Sequence, residues 1–318
     1  MATSTIEQRV ARLSTVSARR VLEPDDVVTG DFGPGQLMAD EMLLTTELGR
    51  PLSPEQKRTL AREQTAALLA GGIRLEAALM AGFGLLLTHW PDLTDPRVTY
   101  LLHEVGEETR HSRLFARMLH QLAPTQPNPF DRGVNGAVAR RIYRTIVGHP
   151  VLLCTMVLVG EEIPDLIQRW LIEHPDTDDY LRRANAYHRE EEARHIAFAS
   201  MLLPELWATA SRRDRWLVKH AAPVLTNLML ETQMFHPGVY ASVGLPAMRT
   251  ARAVKRTALW RRIRVEGTRP VLKALLAAAP ELHGRVPRGW RRLCAVDADG
   301  TGVDGGGVGY ERVGYAGR

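Results

Sequence analysis

The sequence holds only two cysteines, Cys154 and Cys294, and neither sits in a CxxC or a Cys/His cluster. That excludes a disulfide framework and a zinc signature, and leaves two reduced thiols of the kind found in cytosolic proteins. Long apolar runs are also missing. The longest, Val151 to Gly160, falls well short of the roughly 18 residues a membrane span needs. The segment from Met1 to Arg20 is polar and lacks the apolar region of a secretory leader. The chain is therefore expected in the cytoplasm, with no membrane span. Alternating strand patterns are absent, and so are the glycine fingerprints of flavin and nicotinamide sites. No nucleic-acid motif accompanies the positive charge, so no nucleic-acid partner is expected.

What remains is helical periodicity over most of 318 residues. Ser53-Pro54-Glu55 reads as a cap followed by proline at the first helical position. The helix it opens should run to about His89, with a possible break at Gly71-Gly72. Further helices are expected from Asp95-Pro96 to about Leu122, over Val134 to Val147, from His149-Pro150 to about Ile172, and from Asp178 to about Met201. Glu55 and Glu63 lie in polar surroundings and are expected to be exposed. Three regions follow: a flexible N-terminal segment over 1–34, one helical-bundle domain over 35–292 with basic peripheral helices from about 245, and a Gly-rich disordered tail over 293–318. Residues 249–292 carry thirteen Arg or Lys against Glu266 and Glu281. This stretch reads as a solvated helix face with some internal ion pairs. Docking to an acidic redox partner or an anionic surface is the alternative.

The chemistry lies in a repeat. Residues 107–111 read Glu107-Glu108-Thr109-Arg110-His111, and residues 191–195 read Glu191-Glu192-Ala193-Arg194-His195. Glu and His three apart share one face of a helix. One ExxH is weak evidence, because both residues are common on exposed helices. Two copies with the same wording suit a pair of metals held between facing helices, with one further carboxylate from each of two other helices. Upstream of the first copy, Glu76 stands among small and apolar residues. Upstream of the second, an apolar run leads into Glu161-Glu162. A carboxylate in such a place must be paired, protonated or bound to metal. Glu76 precedes Glu108 by 32 residues, Glu161 precedes Glu192 by 31 and Glu162 precedes it by 30, so the spacing favours Glu161. His188, Glu192 and His195 share one helix face, which makes His188 a candidate third imidazole. The matching position in the first copy is Glu104, an orienting acid or a solvated one. Arg110 and Arg194 either brace the carboxylates or pair with surface acids. Carboxylate and imidazole without thiolate suit iron or manganese.

The set Glu76, Glu108-x-x-His111, Glu161 and His188-x-x-x-Glu192-x-x-His195 resembles the ferritin-like di-iron arylamine N-oxygenases, the AurF-like group that oxidises p-aminobenzoate. The resemblance covers roughly residues 40–240. It implies an all-α ferritin-like bundle and a centre of two iron ions held by those three histidines and four glutamates. It also implies transfer of oxygen from O2 to the nitrogen of a small-molecule amine. Electrons would come from an external donor of ferredoxin or flavin-reductase type, and a homodimer is expected. The same ligands would also serve a di-iron C-hydroxylase or desaturase, or a ferritin-like iron-binding protein.

Overall fold

The computed structural model describes residues 5–302. In chain order the α-helices are α1 (Ile6–Arg19), α2 (Pro24–Val27), α3 (Pro54–Thr88), α4 (Pro96–Leu122), α5 (Gly133–Val147), α6 (Pro150–Glu173), α7 (Asp179–Thr209), α8 (Arg212–Trp216), α9 (Ala222–Met229), α10 (Gly238–Ala241), α11 (Ala247–Val254), α12 (Ala258–Ala278) and α13 (Arg288–Cys294). Two π-helical turns flank α9, at Leu217–Ala221 and Leu230–Met234. Among the described residues no β-sheet forms, and the sole β pairing is an isolated bridge between Val296 and Gly302. The fold is all-α, as the periodicity implies.

Local chemistry sets the long helices. Ser53 and Gln56 form a reciprocal capping box, and Pro54 occupies the first turn of α3, where its missing N–H is not needed. Asp95 caps α4 ahead of Pro96, and Asp178 caps α7 by accepting from Leu181 N. The four long helices pair antiparallel. Met80 of α3 meets Thr109 of α4, Glu76 meets Ser112, and Arg62 meets Gln121. In the second pair Asp165 meets Arg189, Gln168 meets His188, and Cys154 meets Ala199.

Several expectations need correction. The helix from Pro54 does not break at Gly71-Gly72. Glycine costs helix stability, but here it admits neighbours: a Cβ on Gly71 would lie 3.1 Å from the Gln233 carbonyl, and one on Gly72 3.0 Å from the Phe115 ring. By length and composition α3 is also apolar enough to cross a membrane, contrary to the estimate from apolar runs. Its Leu60, Leu69, Leu79 and Phe83 are buried in the bundle instead. Glu63 is 5% exposed, not solvated, and accepts from Thr125 N at 2.7 Å and Thr125 Oγ1 at 2.6 Å.

Within the segment 1–34, residues Ile6–Arg19 and Pro24–Val27 are helical. Helix α1 has its own capping box at Thr5 and packs on α4 and α7, with Val10 fully buried. The basic region is only partly peripheral. Helix α12 buries Trp260, Ile263, Val271, Leu272 and Leu275 against α6 and α7. The Arg and Lys count marks only its solvated side; its apolar face determines its packing. Of the expected tail, 293–302 completes α13 and forms the isolated bridge. Residues 303–318 lie outside the described residues.

Candidate metal centre

Helices α3, α4, α6 and α7 each place one or more acids at the middle of the bundle. Glu76, Glu108, His111, Glu161, His188, Glu192 and His195 are all buried, none more than 4% exposed. Their ligand atoms fall into two groups that could each hold a metal ion: Glu76, His111 and His188; and Glu108, Glu161, Glu192 and His195. Within each group the atoms lie within 4.8 Å of one another.

Two glutamates reach both groups. Glu192 Oε1 lies 3.0 Å from His111 Nδ1 and 3.2 Å from His188 Nε2, while its Oε2 lies 2.9 Å from His195 Nδ1. Glu108 Oε2 lies 3.5 Å from His111 Nδ1, and Oε1 lies 3.3 Å from His195 Nδ1. Each of these carboxylates thus offers one oxygen to each group, the placement a bridging ligand needs. Both oxygens of Glu108, Oε1 of Glu192 and Nδ1 of His111 are buried without a hydrogen-bond partner. Such orphaned polar atoms are costly. Converging carboxylates and imidazoles with no thiolate fit hard or borderline divalent cations, so the residues present suit a pair of iron ions.

The repeated five-residue motif is explained in full by crossed contacts. His195 turns Nε2 to Glu107 Oε2 at 2.8 Å, and His111 turns Nε2 to Glu191 Oε2 at 2.9 Å. The first glutamate of each copy thus holds the N–H of the other copy's histidine, which leaves Nδ1 as the inward-facing lone pair. Arg194 donates to Glu107 at 2.8 Å, and Arg110 donates to Glu191 at 3.0 Å. Both arginines therefore brace carboxylates and do not pair with surface acids. Glu107 and Glu191 escaped the sequence reading, although their signal was the Glu-Glu doublet in both copies. Gln168, whose side chain lies 2.9 Å from His188 Nδ1, and Ser112, which donates to Glu76 Oε2 at 2.5 Å, carry no sequence signal at all. Glu161 is 3% exposed and joins the second group, whereas Glu162 is half-buried beside it.

Electrostatics follow from this crowding. Burial, and then the neighbouring Glu192, push Glu161 well above the usual carboxylate range. Burial likewise raises Glu76. Burial opposes ionisation of Glu192 too, but His195 and His188 hold it well below the ordinary value. For His111, burial is outweighed by Glu108, Glu191 and Glu192, which raise it strongly. Protons do here what a bound cation would otherwise do, so metal uptake must release them. Glu104 is fully buried with neither oxygen hydrogen-bonded, and is not the solvated acid considered as one alternative. Burial pushes its pKa up to about 8.

Residues 3–278 match the family model described as p-aminobenzoate N-oxygenase AurF. The chain belongs to this family. Its members are di-iron enzymes, and the seven candidate ligands all lie inside the matched range of this AurF-family chain. Among curated proteins it is 26% identical over 248 residues to an uncharacterized protein of Mycobacterium tuberculosis, covering 78% of this chain and 64% of that one. It is also 26% identical over 189 residues to an uncharacterized protein of Mycobacterium bovis, covering 59% of this chain and 55% of that one. The chain therefore spans between half and two thirds of the length of these relatives. No solved structure matches it significantly.

Beside the centre lies a cavity of about 150 Å³. Glu76, Glu161 and His188 form part of its wall, with Leu75, Phe115 and Met156 among the apolar neighbours.

Proposed function

We infer that the chain is a di-iron oxygenase that transfers oxygen from O2 to the nitrogen of a small amine. The observation that carries this reading is the shared wall. The same Glu76, Glu161 and His188 that belong to the candidate metal groups also line an apolar cavity, so a substrate there would adjoin the centre. Glu76, His111 and His188 would hold one ion and Glu161 and His195 the other, with Glu108 and Glu192 within reach of both groups. Bound iron would supply the oxygen-activating redox chemistry. The protein's own part is positional. Glu107 and Glu191 hold the Nε2 protons and fix the imidazole planes, Gln168 and Ser112 orient His188 and Glu76, and the apolar wall limits water.

The reading includes an external electron donor, a homodimer and a cytoplasmic location. Donor reconstitution, sedimentation and cell fractionation respectively test these. The decisive experiment supplies iron-loaded protein with reductant and isotopically labelled O2 in the presence of a panel of aryl and alkyl amines. Labelled hydroxylamine, nitroso or nitro products are expected. An apolar cavity also suits a hydrocarbon. If fatty or terpenoid carbons are oxidised and no amine is, the N-oxygenase assignment is lost and a C-hydroxylase or desaturase takes its place.

A further inference from the structure

The cavity beside the centre is long. Its wall on α3 runs from Thr65 to Leu79, and on α6 from Met156 to Leu171. At a rise of about 1.5 Å per residue, each stretch is roughly 21 Å long. The two helices run antiparallel here. A Cβ on Gly160 would lie 2.5 Å from Leu75 Cδ2, and one on Gly82 would lie 2.6 Å from Leu153 Cδ2. The second contact lies just beyond Leu79 and Met156, and it closes that end.

The centre sits near the closed end. Glu76 stands three residues from Leu79 but eleven from Thr65, and Glu161 stands five from Met156 but ten from Leu171. On α7 the wall continues from His188 back to Leu181. An arm of roughly 10–16 Å therefore leads away from the centre along three helices. A compact apolar cavity of about 150 Å³ takes one benzene ring. Spread along this wall, the same volume makes a narrow channel.

The arm is aliphatic, lined by Leu68, Leu69, Ile167, Leu171 and Leu181. Thr65 Oγ1 donates to Ala61 O at 2.8 Å, Thr232 Oγ1 to Leu228 O at 2.8 Å, and Asn185 Nδ2 to Leu181 O at 2.7 Å. Gln168 is engaged by His188. Gln233 donates from Nε2 to Thr232 Oγ1 at 3.4 Å, and its Oε1 is buried without a partner and closed to a ligand. Among the described residues the wall holds no Asp, Arg or Lys, and its carboxylates and imidazole are those of Glu76, Glu161 and His188. The channel is thus polar at the centre and apolar along the arm. Methylenes gain from burial in such an arm, whereas nothing there offsets the desolvation of a charge or a polar substituent.

We propose that the channel holds a linear aliphatic chain, and that the substrate is a long-chain primary amine in place of the aminobenzoate ring for which the family is named. Its nitrogen lies at Glu76, Glu161 and His188, and its tail runs along the arm toward Thr65 and Leu171. The nitrogen rests on the N-oxygenase reading; the chain rests on the cavity alone. Leu69 and Ile167, on facing walls roughly 10 Å along the axis from Glu76 and Glu161, then set the length of chain accepted.

The test is a homologous series: butylamine, hexylamine, octylamine and decylamine, with the matching n-alkanols as amine-free chains and aniline as the single ring. Binding to iron-loaded protein is measured by calorimetry without oxygen, so that no turnover intervenes. Affinity should rise roughly 3- to 4-fold per added methylene in both series until the arm is full. Decylamine should bind at least about 100-fold more tightly than aniline. Leu69→Phe should plug the arm, weakening decylamine and decanol at least about 10-fold while butylamine affinity and metal content stay near wild type. Ile167→Phe is the second plug, for use if the first variant does not fold. Affinity that does not depend on chain length overturns the proposal, as does aniline binding as tightly as decylamine. A chain-length slope that survives a folded plug variant is adsorption outside the channel and overturns it too. If both series behave as expected but labelled-oxygen assays yield no N-oxygenated product from any amine, the channel stands and the N-oxygenase reading falls.

Discussion

Four residues before its bridging-type glutamate, the first half of the centre carries Glu104 and the second half carries His188. Much else about the halves is shared: the antiparallel helix pair, the crossed glutamate–histidine contacts and the arginine braces. His188 joins a candidate metal group and helps wall the cavity. Glu104 does neither, and its oxygens are sealed without partners. A duplicated frame therefore places two candidate metal groups, and the position that departs from the repeat is sealed as Glu104 in one half and joins the cavity wall as His188 in the other.

The shared part of the frame should fail most severely. Glu108→Ala or Glu192→Ala removes a carboxylate that reaches both groups, so each should lose most of both metals and at least about 10³-fold in oxygen transfer, judged against typical losses of essential groups. Metal analysis alongside single-turnover assays checks this. Retention of two metals in either variant would show that the carboxylate is not shared.

The crossed supports come next. Glu107→Gln and Glu191→Gln should each weaken metal binding by roughly 10–100-fold, and by similar factors if the halves are equivalent. Competitive chelator titration measures both. A tenfold difference between them would break the symmetry.

The position that differs should behave differently in the two halves. His188→Ala should leave about two metals bound yet slow or divert oxygen transfer, read by metal content against product analysis. Glu104→Gln should leave metal content and transfer near wild type and act on the metal-free protein instead. A carboxylate raised from its ordinary value to about 8 keeps its proton in the folded state after the unfolded chain has lost it. Its contribution to stability therefore falls as pH rises from about 4.5 to about 8, by roughly 5 kcal/mol. Urea unfolding of metal-free protein across that window should show the slope, and Glu104→Gln should flatten it. An unchanged slope would refute the burial argument.

The smallest effect tests the one asymmetric brace. Arg194 also donates to Ser17 of α1 at 3.1 Å. Ser17→Ala should cost about 1 kcal/mol without changing metal affinity, as thermal unfolding would show.

Much of this was legible in advance because helical geometry converts spacing directly into shared faces. Glu108 and His111, or His188, Glu192 and His195, fall on one side of a helix whatever surrounds it. The buried setting of Glu76 and Glu161 was legible too, from their apolar neighbours. The corrections arise where the partner is distant in sequence. Glu63 looked exposed because its local neighbours are polar, but Thr125 covers it. The segment 1–34 carries no local signal for its docking, yet Val10 and Ser17 of α1 are buried where that helix packs on α4 and α7.

The sequence by itself determined the helices, their caps, the paired motif and the chemical type of the centre, since each depends on residues within a few positions of one another. Only the tertiary structure decided that each copy's first glutamate serves the other copy's histidine, that Glu104 is sealed while His188 faces the cavity, and that Gln233 is left with an unmet acceptor. Those facts depend on distances between segments separated by twenty to more than a hundred residues, and packing fixes such distances where local propensity carries no information about them.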